Sequence, residues 1–476
     1  MVYRYLISFF IFIFRCQTIL KTLDTRDKLI AELIIKVNQL TQQVSYLNTE
    51  ISALSHRLSK YETPKNSSNS SIPPSKDENR PVKNQSLRSK GSKKTGGQPG
   101  HKGDTLEMTV VPDRVVEHFP DYCQVCGDAL ESEDRQLESY RQVVDLPGIR
   151  AIWTEHRQYS KKCSCGHKTV TNFPETVTSP VHYGAGIEAL ICYLHARQYL
   201  PYERMQELIK DSYGVKISQG SIDNIIKRFA RKGVAVYDKI KTEVTTSKVV
   251  GSDETGIKIS GKKHWAWTWQ DTKNTLISIS QSRGIQAISE SMMNKLPRAI
   301  LCHDAWRAQF SIDCQGHQLC CAHLLRELNY LEEVYKQPWS SKFKKLLYRA
   351  LKLKRQMGPE DYDADNVERN RIISIYQKLL DQPPDEKYKE LSSFYKRIVK
   401  YKNHIFPFLY HQNVPPDNNA SERAIRNIKV KQKISGQFRS MEGAKNFAVI
   451  RSIIDTLNKR NLNIFQNLKL IANFNS

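Results

Sequence analysis

The chain contains 476 residues, a length that excludes one compact hydrophobic core and favours about three domains. Lysine and arginine number 73 against 49 aspartate and glutamate residues, so the formal net charge is +24 at pH 7. This excess favours a polyanionic partner, in the first place nucleic acid, because neutralised phosphates release counterions. A membrane surface also attracts basic chains. Ten cysteines are too few for a disulfide scaffold at this length, which indicates a reducing compartment.

The N-terminal segment is strongly apolar. Residues 5–14 (YLISFFIFIF) resemble the hydrophobic region of a signal peptide, but they are too short to span a bilayer, which takes about 20 residues. No small-residue cleavage site follows them. We interpret residues 1–18 as a leader of doubtful status, either an upstream misassigned start or a segment that packs on a neighbour. We therefore predict a cytoplasmic protein without a membrane partner.

Residues 19–62 carry a heptad pattern, in which two series of apolar residues recur every seven positions with an offset of three. The series are Leu23, Ile30, Val37, Val44, Ile51 and Leu58, and Leu33, Leu40, Leu47, Leu54 and Tyr61. This spacing is typical of the a and d positions of a coiled coil, and β-branched residues at a with Leu at d favour a parallel dimer. We predict a homodimer or a higher oligomer. The alternative is one amphipathic helix that packs on its own protein.

Residues 63–104 are rich in Ser, Pro, Gly and Lys and nearly lack large apolar side chains. Such a composition does not repay the entropy of ordering, so it predicts a basic flexible linker. The basic residues of this linker either track phosphates or are simply solvated.

Residues 105–180 are predicted to form a small zinc-binding region with short β-like runs. They contain two cysteine pairs, Cys123-x-x-Cys126 and Cys163-x-Cys165. Four thiolates suit tetrahedral zinc in a structural role. A glycine follows each pair, as Gly127 and Gly166, where a knuckle turn requires positive φ. The alternatives are unpaired buried cysteines, or His167 in place of one thiolate.

Residues 181–245 are predicted to be a helix-turn-helix DNA-binding region. Helices are indicated over residues 186–197, 202–211 and 218–231. The last two are joined by a tight turn at Tyr213-Gly214, at the spacing of a helix-turn-helix. Basic candidates for DNA contact stand near the end of the second helix of the pair: Lys227, Arg228 and Arg231. A helical hairpin without a DNA partner is the alternative.

The second half of the chain predicts a mixed-sheet catalytic core. Period-two patterns indicate strands over residues 249–259, 265–270 and 275–281, a helix around 285–295 and a short apolar strand over 299–302. An RNase H-like fold begins with three antiparallel strands, followed by a helix and another strand. We assign residues 246–335 to its first part, 336–410 to a helical insertion and 411–476 to its completion and C-terminal helices. The whole is predicted to be a multi-domain α/β protein.

Three carboxylates stand where such a core would use them. Asp253 lies in the first strand, Asp304 ends the apolar strand, and Glu422 lies on a predicted helix. Two magnesium ions held by shared carboxylates activate both the attacking and the leaving oxygens of a phosphodiester. Arg426 and Lys429 share the helical face of Glu422 and are candidate DNA contacts. The alternative is that all three are ordinary surface carboxylates.

Four motifs occur in one order: SDETG, CHDAWRAQF, CCAHLLREL and DNNASERAIRNIKV. Together with the leucine-zipper-like segment, the linker ending near GGQPGHKG and the CxxC and CxC pairs, they resemble the insertion-sequence-sixty-six (IS sixty-six) transposase family over residues 28–465. The resemblance implies that Asp253, Asp304 and Glu422 form a DDE metal-binding triad for magnesium (or manganese). His323 and Arg326 match a family motif near the core, for either packing or DNA contact.

The implied activity is DNA transposition. Cleavage of a phosphodiester at the insertion-sequence end would free a 3′-hydroxyl, which would then attack target DNA by two-metal phosphoryl transfer. The zinc region and the helix-turn-helix would recognise the terminal inverted repeats. The family also implies element-encoded accessory proteins. Two alternatives stay open, a non-catalytic zinc-containing DNA-binding regulator and an RNase H-like nuclease or resolvase without strand transfer.

Overall fold

The computed structural model describes residues 2–66, 69–70, 77–79, 106–130, 136–175, 177, 179–292, 295–363 and 365–474. Most of the predicted linker, 63–104, therefore lies outside the described residues. The fold class is mixed α/β, as predicted. The chain divides into two compact units, each built from several segments. One comprises residues 1–81, 240–256 and 264–427, and the other comprises residues 82–239, 257–263 and 428–476.

The N-terminal element is one long helix, α1 (Val2–Glu62). It includes the heptad segment, and the apolar heptad side chains from Ile30 to Tyr61 are exposed. The helix agrees with the predicted periodicity, whereas its pairing with a second helix stays a prediction. Within the described part of the chain, no helix is long and apolar enough to cross a membrane.

The cysteine-containing region holds fewer strands than its sequence indicates. Its described residues form one short antiparallel hairpin, β1 (Ser160–Lys162) and β2 (Lys168–Val170), and an isolated bridge between Tyr122 and Ala129. The other apolar runs of this region are extended or irregular and mostly exposed. They lack partner strands among the described residues, and without cross-strand pairs an alternating pattern does not form a sheet.

Four helices follow: α2 (Ala185–Ala196), α3 (Tyr202–Tyr213), α4 (Gln219–Lys232) and α5 (Val234–Thr246). Gly214 ends α3 with a φ of 67°, a left-handed conformation that glycine adopts without strain. Ser218 caps α4, because its side chain accepts a hydrogen bond from the backbone N–H of Ser221. The turn between α3 and α4 is thus fixed by local signals, and both predicted helices are observed, whereas their assignment as a DNA-binding helix-turn-helix stays a prediction.

The central sheet has five strands in the order β5-β4-β3-β6-β7. They are β3 (Val249–Ile259), β4 (Lys262–Gln270), β5 (Thr275–Ser280), β6 (Lys295–His303) and β7 (Asp313–Leu319), with helix α6 (Ile285–Met292) between β5 and β6. Strand β5 pairs antiparallel with β4, whereas β6 pairs parallel with both β3 and β7. Strand β7 was not among the strands predicted from the sequence, the last of which covered residues 299–302.

The rest of the chain is helical. The helices are α7 (Cys321–Tyr335), α8 (Pro338–Gln356), α9 (Val367–Leu380), α10 (Lys389–Lys400), α11 (Asn419–Ser435), α12 (Met441–Lys459) and α13 (Ile464–Ala472). Helices α8 to α10 occupy the segment predicted as an insertion. They bury Trp339, Phe343 and Phe394 in a hydrophobic cluster that includes Cys302 and Leu319, at the ends of β6 and β7. This cluster joins the helical segment to the sheet edge nearest Asp304.

Candidate functional site

The candidate site is formed where strands β3 and β6 meet helices α7 and α11. Asp253 lies within β3, Asp304 follows the last residue of β6, and Glu422 lies in the first turn of α11. Asp304 and Glu422 approach one imidazole nitrogen, since His323 Nδ1 is 3.1 Å from Asp304 Oδ1 and 3.8 Å from Glu422 Oε1. The structure therefore brings these two predicted carboxylates together.

Asp253 is linked to Asp304 and Glu422 through the effect of their charges on its pKa. Burial raises the pKa of Asp253 well above its usual value, and the charges of Asp304, Glu254 and Glu422 raise it further. A buried carboxylate beside other carboxylates is unfavourable in its ionised form unless cations stand nearby. The cluster consequently has the character of a cation-binding site.

Glu254 is not part of the free acidic set, although it directly follows Asp253. Its carboxylate accepts hydrogen bonds from Nε and Nη2 of Arg283, with an Nε–Oε1 distance of 2.8 Å. Burial raises the pKa of Glu254, and Arg283 opposes that rise. A guanidinium therefore already neutralises the Glu254 carboxylate, which makes Glu254 a poor candidate for a metal ligand.

The N-terminus of helix α7 supplies two more ligand-type atoms. Cys320 is its N-cap residue and His323 lies three positions later, so the two side chains stand side by side. Within the described ranges, Asp304, Cys320 and His323 form the one group of such side chains whose ligand atoms all lie within 4.8 Å of one another. Sequence reasoning left Cys320 out, although the Cys-x-x-His spacing in CCAHLLREL could have signalled it.

Arg326 fixes the orientation of this histidine. Its Nη1 lies 3.2 Å from His323 Nε2, and its Nη2 lies 3.3 Å from Glu422 Oε1. Burial opposes protonation of His323, yet the neighbouring Asp304 and Cys320 side chains raise its pKa to about 10. With Nε2 beside Arg326, the other ring nitrogen, Nδ1, faces the carboxylates of Asp304 and Glu422.

Helix α11 is held against strand β3 by its first residues. Asn418 Nδ2 donates to the Ser252 carbonyl at 2.7 Å, and the Asn418 backbone N–H donates to Cys320 Sγ at 3.3 Å. Gln309 Nε2 also reaches Ser252 Oγ, at 3.2 Å. Thus the residue before Asp253 is tied to the segment that carries Glu422. These amides were not singled out in the sequence, where Asn418 is simply the start of NNASER.

The predicted DNA-contact residues lie in different environments. Arg426 is 72% exposed and its Nη2 stands 3.8 Å from Glu422 Oε2, whereas Lys429 is half-buried. Lys227 pairs with Asp223 at 2.9 Å, and Arg228 pairs with the buried Glu188. Arg231 is exposed. Arg228 therefore has a structural partner already, while Arg231 and Arg426 face solvent.

The two cysteine pairs form separate knuckle-like turns. Gly127 and Gly166 have φ values of 80° and 87°, as the sequence predicts, and the N–H of each donates to the carbonyl of the first cysteine of its pair. Hydrogen bonds from the backbone of Cys126 and Val125 lower the pKa of Cys123 to about 7. Such a thiol is suited to metal ligation. The four sulfurs are not within ligating distance of one common ion, so the zinc site stays a prediction.

The comparison with known families agrees with this arrangement. The profile described as Transposase IS66 family matches residues 180–446, which is more than half of the chain. This region contains all three carboxylates of the candidate site. The chain belongs to the IS66 family of transposases. A second profile, a family of unknown function (DUF6444), matches residues 22–107. No curated protein matches the chain.

Proposed function

We propose that this protein is a DDE-type transposase that cleaves the ends of an insertion sequence and joins them to target DNA. Asp253, Asp304 and Glu422 are its metal-binding carboxylates. The main support is that Asp304 and Glu422 approach one histidine nitrogen and that their charges raise the pKa of Asp253, in a member of a transposase family. An RNase H-like core is supported by antiparallel β4 and β5 beside parallel β3, β6 and β7.

The donor set fits a hard divalent cation. All three proposed ligands are carboxylates, and the buried Asp304 Oδ1 stands 3.1 Å from His323 Nδ1 as an ion-pair partner but accepts no well-aligned hydrogen bond. The three carboxylates would hold magnesium (or manganese), which when bound activates the attacking oxygen and stabilises the leaving oxygen of a phosphodiester. Two such ions are proposed, as in other enzymes that share carboxylates between metals.

The surrounding residues would position this acidic set and the DNA. His323 and Arg326 hold Asp304 and Glu422 in one orientation by the contacts described above. Arg426 is exposed next to Glu422, where its guanidinium suits a DNA phosphate. Since the carboxylates repel a polyanion, such cations are needed to keep the scissile phosphate close.

The remaining regions would recognise and pair the DNA ends. We propose that the α3–α4 pair binds terminal repeats through Lys227 and Arg231, with a smaller contribution from the Glu188-bound Arg228. The cysteine knuckles would bind structural zinc, and α1 would pair two subunits. Element-encoded accessory proteins belong to this proposal as partners of the complete reaction.

The test is a magnesium-dependent cleavage and strand-transfer assay on insertion-sequence-end DNA. We expect wild type to form joined product, and Glu422→Gln to abolish both cleavage and joining while DNA binding persists. Glu386→Gln, at a side chain 83% exposed, is the matched control and should retain activity. Cleavage without joining would instead identify a nuclease or resolvase. DNA binding without cleavage, even with the accessory proteins present, would identify a regulator.

A further inference from the structure

Trp306 is an exposed indole beside the proposed catalytic carboxylates. It lies two residues after Asp304, and the intervening Ala305 has a φ of 66°, which turns the chain sharply between them. Trp306 is 37% exposed, whereas Trp267 and Trp269 of strand β4 are fully buried. Single exposed hydrophobic side chains are common on proteins, so exposure alone assigns no role to Trp306.

The indole of Trp306 is held in place by Arg283. The guanidinium carbon lies 3.7 Å from the centre of the Trp306 ring and 5.0 Å from that of Trp265. Trp306 Nε1 also donates to the Arg283 carbonyl at 3.3 Å. Arg283 is itself fixed by Glu254, whose side chain is only 6% exposed. One part of the ring is thus fixed on a rigid support while the rest remains open to solvent.

The net charge of Arg283 and Glu254 determines which kind of ligand the Trp306 ring would bind. A free arginine at this position would attract a phosphate, but Glu254 neutralises Arg283. The result is an aromatic surface with little net charge, next to an acidic site that a phosphate reaches only with metal ions. Nucleobases are uncharged and stack on exposed aromatic side chains regardless of sequence. The surface is therefore suited to a base and not to the backbone.

We propose that Trp306 stacks on an unpaired nucleobase of the insertion-sequence end, next to the phosphodiester that the carboxylates cleave. This inference rests on the proposed transposase function. Removal of one base from the duplex gives the backbone at the scissile phosphate the freedom to enter an enclosed site. Trp306 would stabilise that distorted strand by replacing the lost base stacking, with Arg283 and Glu254 as its positioning residues.

The first experiment compares Trp306→Ala and Trp306→Phe with wild type in single-turnover cleavage. We expect Ala to slow cleavage by about tenfold or more and Phe to slow it less, because a smaller ring still stacks. Affinity for long DNA should change little, since phosphate contacts supply most of it. Tyr348→Ala removes an aromatic that is 52% exposed on helix α8 and is the matched control for loss of a surface ring. Circular dichroism verifies folding of each variant.

A second arm separates stacking from a merely structural role. DNA with an abasic site is made at each position flanking the cleavage point. At the stacked position, the abasic substrate should slow wild type as much as Trp306→Ala does, and should not slow the variant further. The stacking proposal is overturned if an abasic site at every position slows cleavage by Trp306→Ala as much as it slows cleavage by wild type. It is also overturned if Trp306→Ala cleaves as fast as wild type.

Tryptophan fluorescence measures stacking of a base on Trp306 without requiring cleavage. Binding of single-stranded end DNA should quench tryptophan emission, and the part due to Trp306 should vanish in Trp306→Phe. Quenching from Trp306 without any cleavage, even with the accessory proteins present, would retain the stacking site and remove the transposase proposal. Normal cleavage without that quenching would retain the transposase proposal and remove the stacking site.

Discussion

At the scale of single residues, Gly251 controls how closely helix α11 approaches strand β3. A Cβ atom at Gly251 would lie 2.5 Å from Gln270 Nε2, 2.6 Å from Ser421 Oγ and 3.1 Å from Asn418 Oδ1. These distances are shorter than van der Waals contact, and Ser421 is fully buried. The missing side chain therefore allows α11 to lie close enough to β3 for Glu422, the residue after Ser421, to approach His323 beside Asp304.

We predict that Gly251→Ala displaces Ser421 and with it Glu422. A shift of this kind costs about tenfold to 100-fold in cleavage rate, because the carboxylates must be positioned within a fraction of an ångström. Overpacking would also lower the free energy of unfolding by about 1–3 kcal/mol. Single-turnover cleavage and urea unfolding measure the two effects. Gly316→Ala in β7 is the control, since a Cβ there meets no atom within 4 Å. Unchanged cleavage by Gly251→Ala would contradict this account of the site.

Arg326 provides a second prediction at this scale. Its two guanidinium nitrogens Nη1 and Nη2 contact His323 and Glu422 at the same time. A lysine has one ammonium group in place of this planar pair of donors, so it does not reproduce both contacts. We expect Arg326→Lys to lower cleavage by about tenfold or more, as for partners that orient metal ligands. Arg397→Lys, in an ion pair with Glu327, tests the same substitution away from the site and should keep full activity. Equal activities of the two variants would assign Arg326 to packing alone.

At the scale of elements, local patterns predicted most of the central sheet. Strand β3 has the predicted bounds, and β4 and β5 differ only at their ends, because alternation and turn residues are local signals. Strand β7 has the sequence DCQGHQL, in which polar residues and a glycine leave no alternation of apolar and polar side chains. It is a strand because it pairs with β6, and a pairing partner is not a local property.

The same distinction applies to the candidate site. Asp253, Asp304 and Glu422 stand in recognisable motifs, within strand β3, after strand β6 and in the first turn of helix α11, so the sequence indicated them as candidates. The support of Trp306 by Arg283 and Glu254 joins three distant positions and depends on side-chain geometry that no spacing encodes. Motifs thus indicated the candidate carboxylates and the nearby His323 and Arg326, whereas the support of Trp306 depends on tertiary contacts between distant residues.

The contact between strands β6 and β7 predicts acid sensitivity. His317 of β7 lies 3.1 Å from His303 through its Nδ1, 3.5 Å from Cys314 through its Nε2, and beside the rings of His404 and Phe310. Burial and, to a smaller extent, the neighbouring His404 together lower the pKa of His317 to about 4. The folded chain therefore binds fewer protons here than the unfolded chain, whose histidine pKa is about 6.5.

Stability from this site should be complete above pH 6.5 and be lost as the pH falls towards 4, by about 1–2 kcal/mol after screening by solvent. Urea unfolding at pH 7.5 and pH 5.0 measures the loss. His317→Gln removes the titrating ring, so the difference between the two pH values should shrink. His411→Gln, at an exposed histidine, should leave it unchanged. A pH dependence that is the same in His317→Gln and wild type would show that His317 does not cause it.

At the scale of the whole molecule, helix α1 leaves a long apolar face uncovered in the single chain. Its a and d side chains between residues 30 and 61 are all 48% exposed or more. Burial of leucine-sized side chains against a partner contributes about 1.5–3 kcal/mol each, so a second copy would bury a substantial surface. The same helix carries few charges at these positions, which leaves the apolar face as its main means of association.

We predict that the chain is a dimer through α1 and that Leu40→Glu with Leu47→Glu makes it a monomer. Both leucines are d positions, and a buried carboxylate opposite its own copy is strongly unfavourable. Light scattering after size exclusion should give twice the chain mass of 55.0 kDa for wild type and the single mass for the variant. Gln42→Glu with Thr49→Glu adds the same charge on the outer face and should stay dimeric. A dimer in both variants would place the interface elsewhere, whereas a monomeric wild type would leave α1 for another partner. If pairing holds the two DNA ends together, the monomeric variant should still nick one end but lose joining of paired ends.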